Sequence, residues 1–106
     1  MYFLSIYLEY LILKKNKICE DAGAISLVDK NACKDAVEQI KHYLPKTYFY
    51  SSSTNSDYPK GCYLYNNGNA VYFNPHENGA RNKYAQPICK NFKGEEKQYN
   101  YTNLLQ

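Results

Sequence analysis

Four cysteines are the residues of this chain with the most definite chemistry. They stand far apart, at Cys19, Cys33, Cys62 and Cys89, and they form no Cys-x-x-Cys pair. Zinc sites use closely spaced Cys or His ligands, so this spacing does not predict a metal centre. An even number of separated cysteines in a short chain predicts a disulfide framework, which persists in oxidising compartments. We therefore expect two disulfides, no metal, and an extracellular or cell-surface location.

A second group that could do chemistry is His76, Glu77 and Arg81, an acid, a base and a cation of the kind that small secreted ribonucleases use. Catalysis needs such groups to converge in a cleft with tuned pKa values, and adjacency in one turn is no evidence of that. Paired cysteines also leave no thiolate nucleophile. The sequence predicts a non-enzymatic protein without a cofactor, with a small secreted hydrolase as the remote alternative.

The most informative segment is an Asn67-Gly68 turn between two aromatic and β-branched runs, which predicts a β-hairpin. With these two residues at the centre of a type I′ turn, the predicted pairs are Cys62 with Phe73, Tyr63 with Tyr72, Leu64 with Val71 and Tyr65 with Ala70. This register places Cys62 on an apolar face and Tyr63, Tyr65 and Tyr72 on the other. Tyrosine combines apolar area with a polar tip, so those three side chains are the predicted binding residues.

A helix is predicted to begin after Asp29, its N-cap, and to end before Pro45. Its apolar stripe consists of Cys33, Val37, Ile40 and Leu44. Packing this stripe on the apolar face of the hairpin brings Cys33 toward Cys62 and leaves Cys19 to pair with Cys89. The predicted fold is α+β, with one helix on a small antiparallel sheet and two disulfides, Cys33–Cys62 and Cys19–Cys89.

Weaker signals complete the outline. We expect a short strand at Thr47–Tyr50, a mobile polar loop at Ser51–Asp57 and a last strand at Pro87–Cys89. Asn74-Pro75 and Asn78-Gly79 are typical of turns.

The N-terminal segment, residues 2–13, is apolar but too short to span a bilayer. It lacks the basic start and the small-residue cleavage site of a signal peptide, so we expect a retained structural segment. Its periodicity allows a helix or a strand, and its aromatic and branched content favours a strand. As a strand, its buried face carries Leu4, Ile6, Leu8, Tyr10 and Ile12. The predicted organisation is an arm at 1–17, a disulfide-stapled module at 18–92 and a tail at 93–106.

Composition excludes several classes of protein. The chain is 44% hydrophobic and 22% charged, a composition too apolar for a disordered chain. Its length of 106 residues is enough for one domain. A net charge of +3 and a pI of about 8.6 do not predict a nucleic-acid-binding surface. The Asn100-Tyr101-Thr102 sequon predicts a glycosylation site at Asn100.

Several short segments around the cysteines form a pattern: Cys19-Glu20-Asp21-Ala22-Gly23, Ile25, Cys33-Lys34-Asp35-Ala36, Pro59-Lys60-Gly61-Cys62-Tyr63, Val71-Tyr72-Phe73-Asn74 and Ile88-Cys89-Lys90. As a set they resemble an uncharacterised cysteine module of secreted and surface proteins of microbial eukaryotes, over residues 18–90. The resemblance implies extracellular exposure and disulfides but no activity. A helix clamped to a small sheet is also similar in outline to apple or PAN adhesion domains, although the cysteine spacing differs.

Two functional hypotheses follow. An apolar N-terminal strand that adds to the sheet edge of another copy would build a fibre, coat or other surface polymer. Alternatively, a monomeric adhesion module would bind a glycan or a surface protein through its tyrosines. Neither hypothesis involves nucleic acid or a transmembrane segment.

Overall fold

The computed structural model describes residues 9–91 of the chain. They contain one α-helix, α1 (Lys30–Ile40), and a short 3₁₀ helix at Cys19–Ala22. The strands are β1 (Tyr10–Ile12), β2 (Ile25–Ser26), β3 (Tyr48–Ser52), β4 (Pro59–Tyr65), β5 (Ala70–Gly79) and β6 (Ala85–Lys90). The predicted α+β class is confirmed.

The six strands form one sheet in the order β1-β6-β4-β5-β3, with β2 pairing to β6 off this path. All pairs are antiparallel except β3 with β5, which is parallel. The prediction of an antiparallel sheet is therefore wrong for one pair. β4 and β5 form a hairpin, and β3 occupies the other side of β5, so the chain between β3 and β4 must cross the end of β5.

The β4–β5 hairpin has the predicted register. Cys62 lies opposite Phe73, Tyr63 opposite Tyr72, and Leu64 opposite Val71. Its turn lies one residue earlier than predicted, because Asn66 and Asn67 have the positive φ angles, 50° and 59°. The Gly68 amide donates to the Tyr65 carbonyl at 2.9 Å and closes this turn. Asparagine enters the left-handed region with little strain, so it can replace the expected Asn-Gly centre.

Helix α1 begins as predicted, with the Asp29 carboxylate accepting a hydrogen bond from the Asn31 amide at 3.0 Å. It ends at Ile40, before the predicted end near Leu44. The His42 and Tyr43 amides donate three residues back along the chain, so the segment after Ile40 tightens into turns. Leu44 still packs against the core from these turns.

The two disulfides hold different layers of the molecule to opposite faces of the sheet. Cys33–Cys62 joins α1 to β4 within the main core, and Cys19–Cys89 joins the 3₁₀ helix to β6 on the other face. Both predicted pairings are confirmed. They span 29 and 70 residues of chain. In the chain-entropy model, loops of this length correspond to roughly 3–4 kcal/mol of stabilisation each.

The predicted turns at Asn74-Pro75 and Asn78-Gly79 are wrong, because β5 continues through both. The register between β4 and β5 shifts between Pro59 and Gly61, as in a β-bulge. Gly79 has a φ of 61° opposite this shift. The turn-like residues Asn74 and Gly79 thus mark the two ends of an irregular stretch of β5, where five residue steps face two of β4.

The N-terminal segment enters the sheet through β1, whose residues pair with Ile88, Cys89 and Lys90 of β6. Tyr10 and Ile12 are partly buried against the main core, whereas Leu11, on the face predicted to be mixed, is buried in the second cluster with Cys89. Leu4, Ile6, Leu8 and Asn100 lie outside the described residues. Within residues 9–91, no helix is long and apolar enough to cross a membrane.

Candidate binding surface

Seven tyrosines lie together on the sheet face opposite α1, and we call this set the tyrosine face. Its members are Tyr48, Tyr50, Tyr58, Tyr63, Tyr65, Tyr72 and Tyr84. Side chains alternate between the faces of a strand, so the core positions of β3, β4 and β5 are interleaved with tyrosines. Tyr58 and Tyr84 precede β4 and β6 and extend the surface at its margins.

The centre of the tyrosine face is a stack of three rings. Tyr63 stacks on Tyr58 with ring centroids 5.3 Å apart and on Tyr72 with centroids 5.6 Å apart. Tyr65 meets the Tyr72 ring edge to face at 5.8 Å. Offset stacking and edge-to-face contacts are the favoured arrangements of aromatic pairs, each worth about 0.5–1.5 kcal/mol beyond burial. The face is therefore ordered by its own ring contacts.

Exposure increases from the centre of the tyrosine face to its margins. Tyr63 is 5% exposed, whereas Tyr50 is 61%, Tyr48 46% and Tyr84 42% exposed. The outer rings offer apolar surface to a partner, and the central ring supports them. Lys83 lies at the margin, with its Nζ 5.1 Å from the centre of the Tyr84 ring.

Three phenols of the tyrosine face, those of Tyr58, Tyr63 and Tyr72, have a raised pKa. Burial, followed by the neighbouring Tyr58, raises the pKa of Tyr63. Burial and then the neighbouring Tyr50 raise the pKa of Tyr72. A hydrogen bond between the Tyr58 and Tyr65 phenols is the main cause of the raised pKa of Tyr58. These phenols are uncharged and can both donate and accept hydrogen bonds.

The three predicted binding residues do lie on one face, but they play different parts. Tyr65 and Tyr72 are half-buried, and Tyr63 is closed off by its neighbours. Sequence reasoning missed Tyr48, Tyr50, Tyr58 and Tyr84. The predicted strand at Thr47–Tyr50 could have revealed the first two, because alternate strand residues share a face. For Tyr58 and Tyr84 the sequence holds no comparable signal.

The side chain of Asn74 anchors the segment that carries Tyr58 beside the tyrosine face. It is 1% exposed, and its amide oxygen accepts from the Asn55 and His76 backbone amides at 3.0 and 3.1 Å. Its amide nitrogen donates to the Asn55, Tyr58 and Pro59 carbonyls at 2.7, 3.0 and 3.1 Å. The loop that crosses the end of β5 is thus tied to β5, and the Tyr58 ring is held against Tyr63.

The His76, Glu77 and Arg81 group does not form a convergent site. His76 Nδ1 accepts hydrogen bonds from the Asn78 and Gly79 amides at 3.1 and 2.8 Å. The Arg81 guanidinium donates instead to Asp21, at 3.2 Å from Nε. Imidazole and guanidinium are therefore occupied by different parts of the fold.

A shallow cleft of about 430 Å³ lies between β1 and α1. Its lining residues are Glu9, Tyr10, Asp35, Glu38, Gln39 and His42. Burial, and then the charges of Glu9 and Asp35, raise the pKa of Tyr10. Across the described part of the chain, no three His, Cys, Asp or Glu side chains are grouped closely enough to hold a metal ion.

Comparisons with known proteins found no matching family model, no matching curated protein and no matching solved structure.

Proposed function

We propose that this chain is a non-enzymatic extracellular structural module that associates with further copies of itself through the tyrosine face. The observation that carries the proposal is the group of exposed, uncharged outer rings on a preordered aromatic surface. The largest apolar patch of a monomeric protein, usually about 300–600 Å², is often functional. Two disulfides support the extracellular assignment, since disulfides persist in oxidising compartments.

The arrangement of the rings favours a protein partner over a sugar or a small molecule. Small-molecule sites are concave, whereas the centre of the tyrosine face is filled by Tyr63. Sugar C–H groups are attracted to the electron-rich faces of aromatic rings. In the central stack both faces of Tyr63 are covered by Tyr58 and Tyr72, so the middle of the surface offers no free platform.

Symmetry favours a second copy as that partner. The chain carries a net charge of +3, so most contacts between two copies would be mildly repulsive. The phenols of the tyrosine face are neutral and add nothing to this repulsion, and Lys83 is a charge at its margin. A two-fold contact sets the same patch against itself, and ring pairs of the kind found within one copy could form between two. The neighbouring strand β3, which ends the described sheet, places Tyr48 and Tyr50 at its rim.

The size of the exposed surface predicts a weak contact. At about 200 Å² for a whole tyrosine, the exposures of Tyr48, Tyr50 and Tyr84 correspond to roughly 300 Å² per copy. Stable complexes bury about 800 Å² per partner. We therefore expect dissociation constants in the micromolar to millimolar range, with assembly depending on many copies at high local concentration.

Sedimentation velocity of the disulfide-intact chain, from about 10 µM to about 1 mM, tests the proposal across this affinity range. The wild type should show concentration-dependent association, and Tyr50→Asp should remain monomeric because it buries a charge in the contact. Val28→Asp is the matched control, since Val28 is 74% exposed and lies outside the tyrosine face. A wild type that stays monomeric throughout contradicts the proposal, as does association that Tyr50→Asp leaves unchanged.

Assembly through the N-terminal strand stays a separate prediction. The described part of that strand, Tyr10–Ile12, pairs within the chain's own sheet, and Leu4, Ile6 and Leu8 lie outside the described residues. Ile6→Asp in the same sedimentation series separates the routes. Association that is lost in Ile6→Asp and kept in Tyr50→Asp assigns assembly to the N-terminal strand and refutes the tyrosine contact.

A further inference from the structure

The rings of the tyrosine face are also the most oxidisable groups that the chain offers. The chain has no tryptophan and one methionine, and its four cysteines are paired. Free thiols and methionine thioethers would otherwise be the first targets of an oxidant. One-electron oxidation therefore falls mainly on phenols, and among residues 9–91 the exposed phenols lie on this face.

Phenol coupling needs two ortho carbons to meet edge to edge, and the stacked rings do not offer that arrangement. Tyr63 lies within 14° of parallel to both of its stacking partners, so their faces oppose each other. Tyr50 and Tyr72 differ, because their planes meet at 48° and their centroids are 5.2 Å apart, the shortest separation in the tyrosine face. Directly bonded phenol rings have centroids about 4.3 Å apart, given a carbon–carbon bond of about 1.5 Å. Coupling this pair thus needs the centroids to approach by about one ångström and the rings to turn until the two ortho carbons meet edge to edge.

We propose that Tyr50 and Tyr72 form an oxidative cross-linking site, at which hydrogen peroxide and a haem peroxidase join the two rings within one copy of the chain. Each phenol loses one electron and its phenolic proton to give a phenoxyl radical. The two radicals form a bond between their ortho carbons. Each ring then loses its ortho hydrogen as a proton, and each phenolic oxygen is protonated again. The protein loses two hydrogen atoms overall, and one hydrogen peroxide is reduced to two waters.

Exposure and position agree with this chemistry. Tyr50 is 61% exposed, so an oxidant in solution reaches it, while Tyr72 is held beneath it on β5. The linkage joins β3 to β5 covalently. It adds a third covalent cross-link, at the β3 edge of the described sheet, where neither disulfide lies.

The test treats the full disulfide-intact chain with a haem peroxidase and limiting hydrogen peroxide, at a dilution where sedimentation shows only monomer. We expect dityrosine fluorescence in the monomer band of a denaturing gel. Mass spectrometry should identify one linked peptide pair, joining Tyr50 to Tyr72 with the loss of two hydrogens. Because the protein is monomeric, the outcome is independent of self-association.

Three variants make the assignment falsifiable. Tyr50→Phe and Tyr72→Phe should each abolish the monomer fluorescence, and Tyr84→Phe, an exposed ring on the same face, should retain it. Thermal unfolding of each variant separates a folding defect from the loss of a reactive phenol. Fluorescence that persists in a folded Tyr50→Phe monomer overturns the proposal, as does a product of covalent dimers without the Tyr50–Tyr72 peptide.

Discussion

Replacement of Asn74 by alanine tests how the fold positions the tyrosine face. Asn74 is 1% exposed, and its side chain makes five hydrogen bonds to backbone groups. Three of its bonds join β5 to the loop that leads from β3 into β4, and a fourth goes to Pro59 at the start of β4. Asn74→Ala removes all of these bonds without adding bulk, so the loop loses this attachment to β5.

The size of the effect follows from the burial of the partners. A buried group left without a hydrogen bond costs about 1–3 kcal/mol. The bond to the Pro59 carbonyl is buried, and the other four are part-buried, so water can replace some of them after the change. Counting roughly two groups as lost gives about 2–6 kcal/mol, against a total stability of about 5–15 kcal/mol for a domain.

Urea unfolding with the disulfides intact measures this loss directly. Asn78→Ala is the matched control, because Asn78 is an exposed asparagine on the same strand and should change stability by less than about 0.5 kcal/mol. The near-ultraviolet circular dichroism of Asn74→Ala should also weaken, since Tyr58 loses its anchor beside Tyr63. If Asn74→Ala and Asn78→Ala unfold at the same urea concentration, the anchoring role is refuted.

Asn74→Asp sharpens the same test. It preserves the shape of the side chain but sets a carboxylate against the carbonyl oxygens of Asn55, Tyr58 and Pro59. Burial and these oxygens would raise the pKa of the new carboxyl in the folded state. The variant should therefore be less stable than Asn74→Ala at neutral pH and recover as pH falls, because protonation removes the repulsion. A pH-independent loss of stability would contradict this.

Three further outcomes are expected. Gly79→Ala should lower the free energy of unfolding by about 2–4 kcal/mol, because a Cβ there collides with the backbone at the start of β4. Gly23→Ala has the same left-handed backbone but open space around the Cβ, so it should cost only about 1–2 kcal/mol. Equal losses in chemical denaturation would refute the steric explanation. In an alkaline absorbance titration, Tyr63 should ionise last, because its pKa is raised. The unfolded state ionises more easily, so the free energy of unfolding should fall as pH rises past the ordinary tyrosine pKa. A Tyr63→Phe protein with the same loss of stability at alkaline pH would contradict this. The hydrogen bond from Arg81 lowers the pKa of Asp21, so Arg81→Ala should raise that pKa in an NMR titration. The variant should also lack the stabilisation that the wild type loses as pH falls. An unchanged Asp21 pKa in Arg81→Ala would show the pair to be unimportant in solution.

Features of the fold with local signals could be predicted from the sequence. The hairpin register followed from alternation between Cys62–Tyr65 and Ala70–Phe73, because a shift by one residue would expose the apolar face. That register also placed Cys62 beside the helix stripe, and the disulfide pairing followed. Asp29 indicated the start of α1 because an N-cap satisfies the first helical amides locally.

Features that depend on distant partners could not be predicted. The parallel pairing of β3 with β5 arises from the path of the chain across the end of β5, which no local pattern encodes. Asn74 resembled a turn residue beside Pro75, yet it is a buried anchor whose partners lie 15 to 19 residues away. The extent of the tyrosine face was underestimated for the same reason, since Tyr58 and Tyr84 reach it from segments outside the hairpin.

The contact of one tyrosine face with another is tested most directly by an NMR dilution series. Backbone amide shifts of the disulfide-intact chain would be followed from about 1 mM to about 20 µM, the range in which a contact of this size dissociates. We expect concentration-dependent shifts that cluster on β3 and around Tyr50, Tyr65 and Tyr84, while α1 stays unchanged. Shifts that do not depend on concentration, or that map to α1 and β1 instead, would contradict a contact between tyrosine faces.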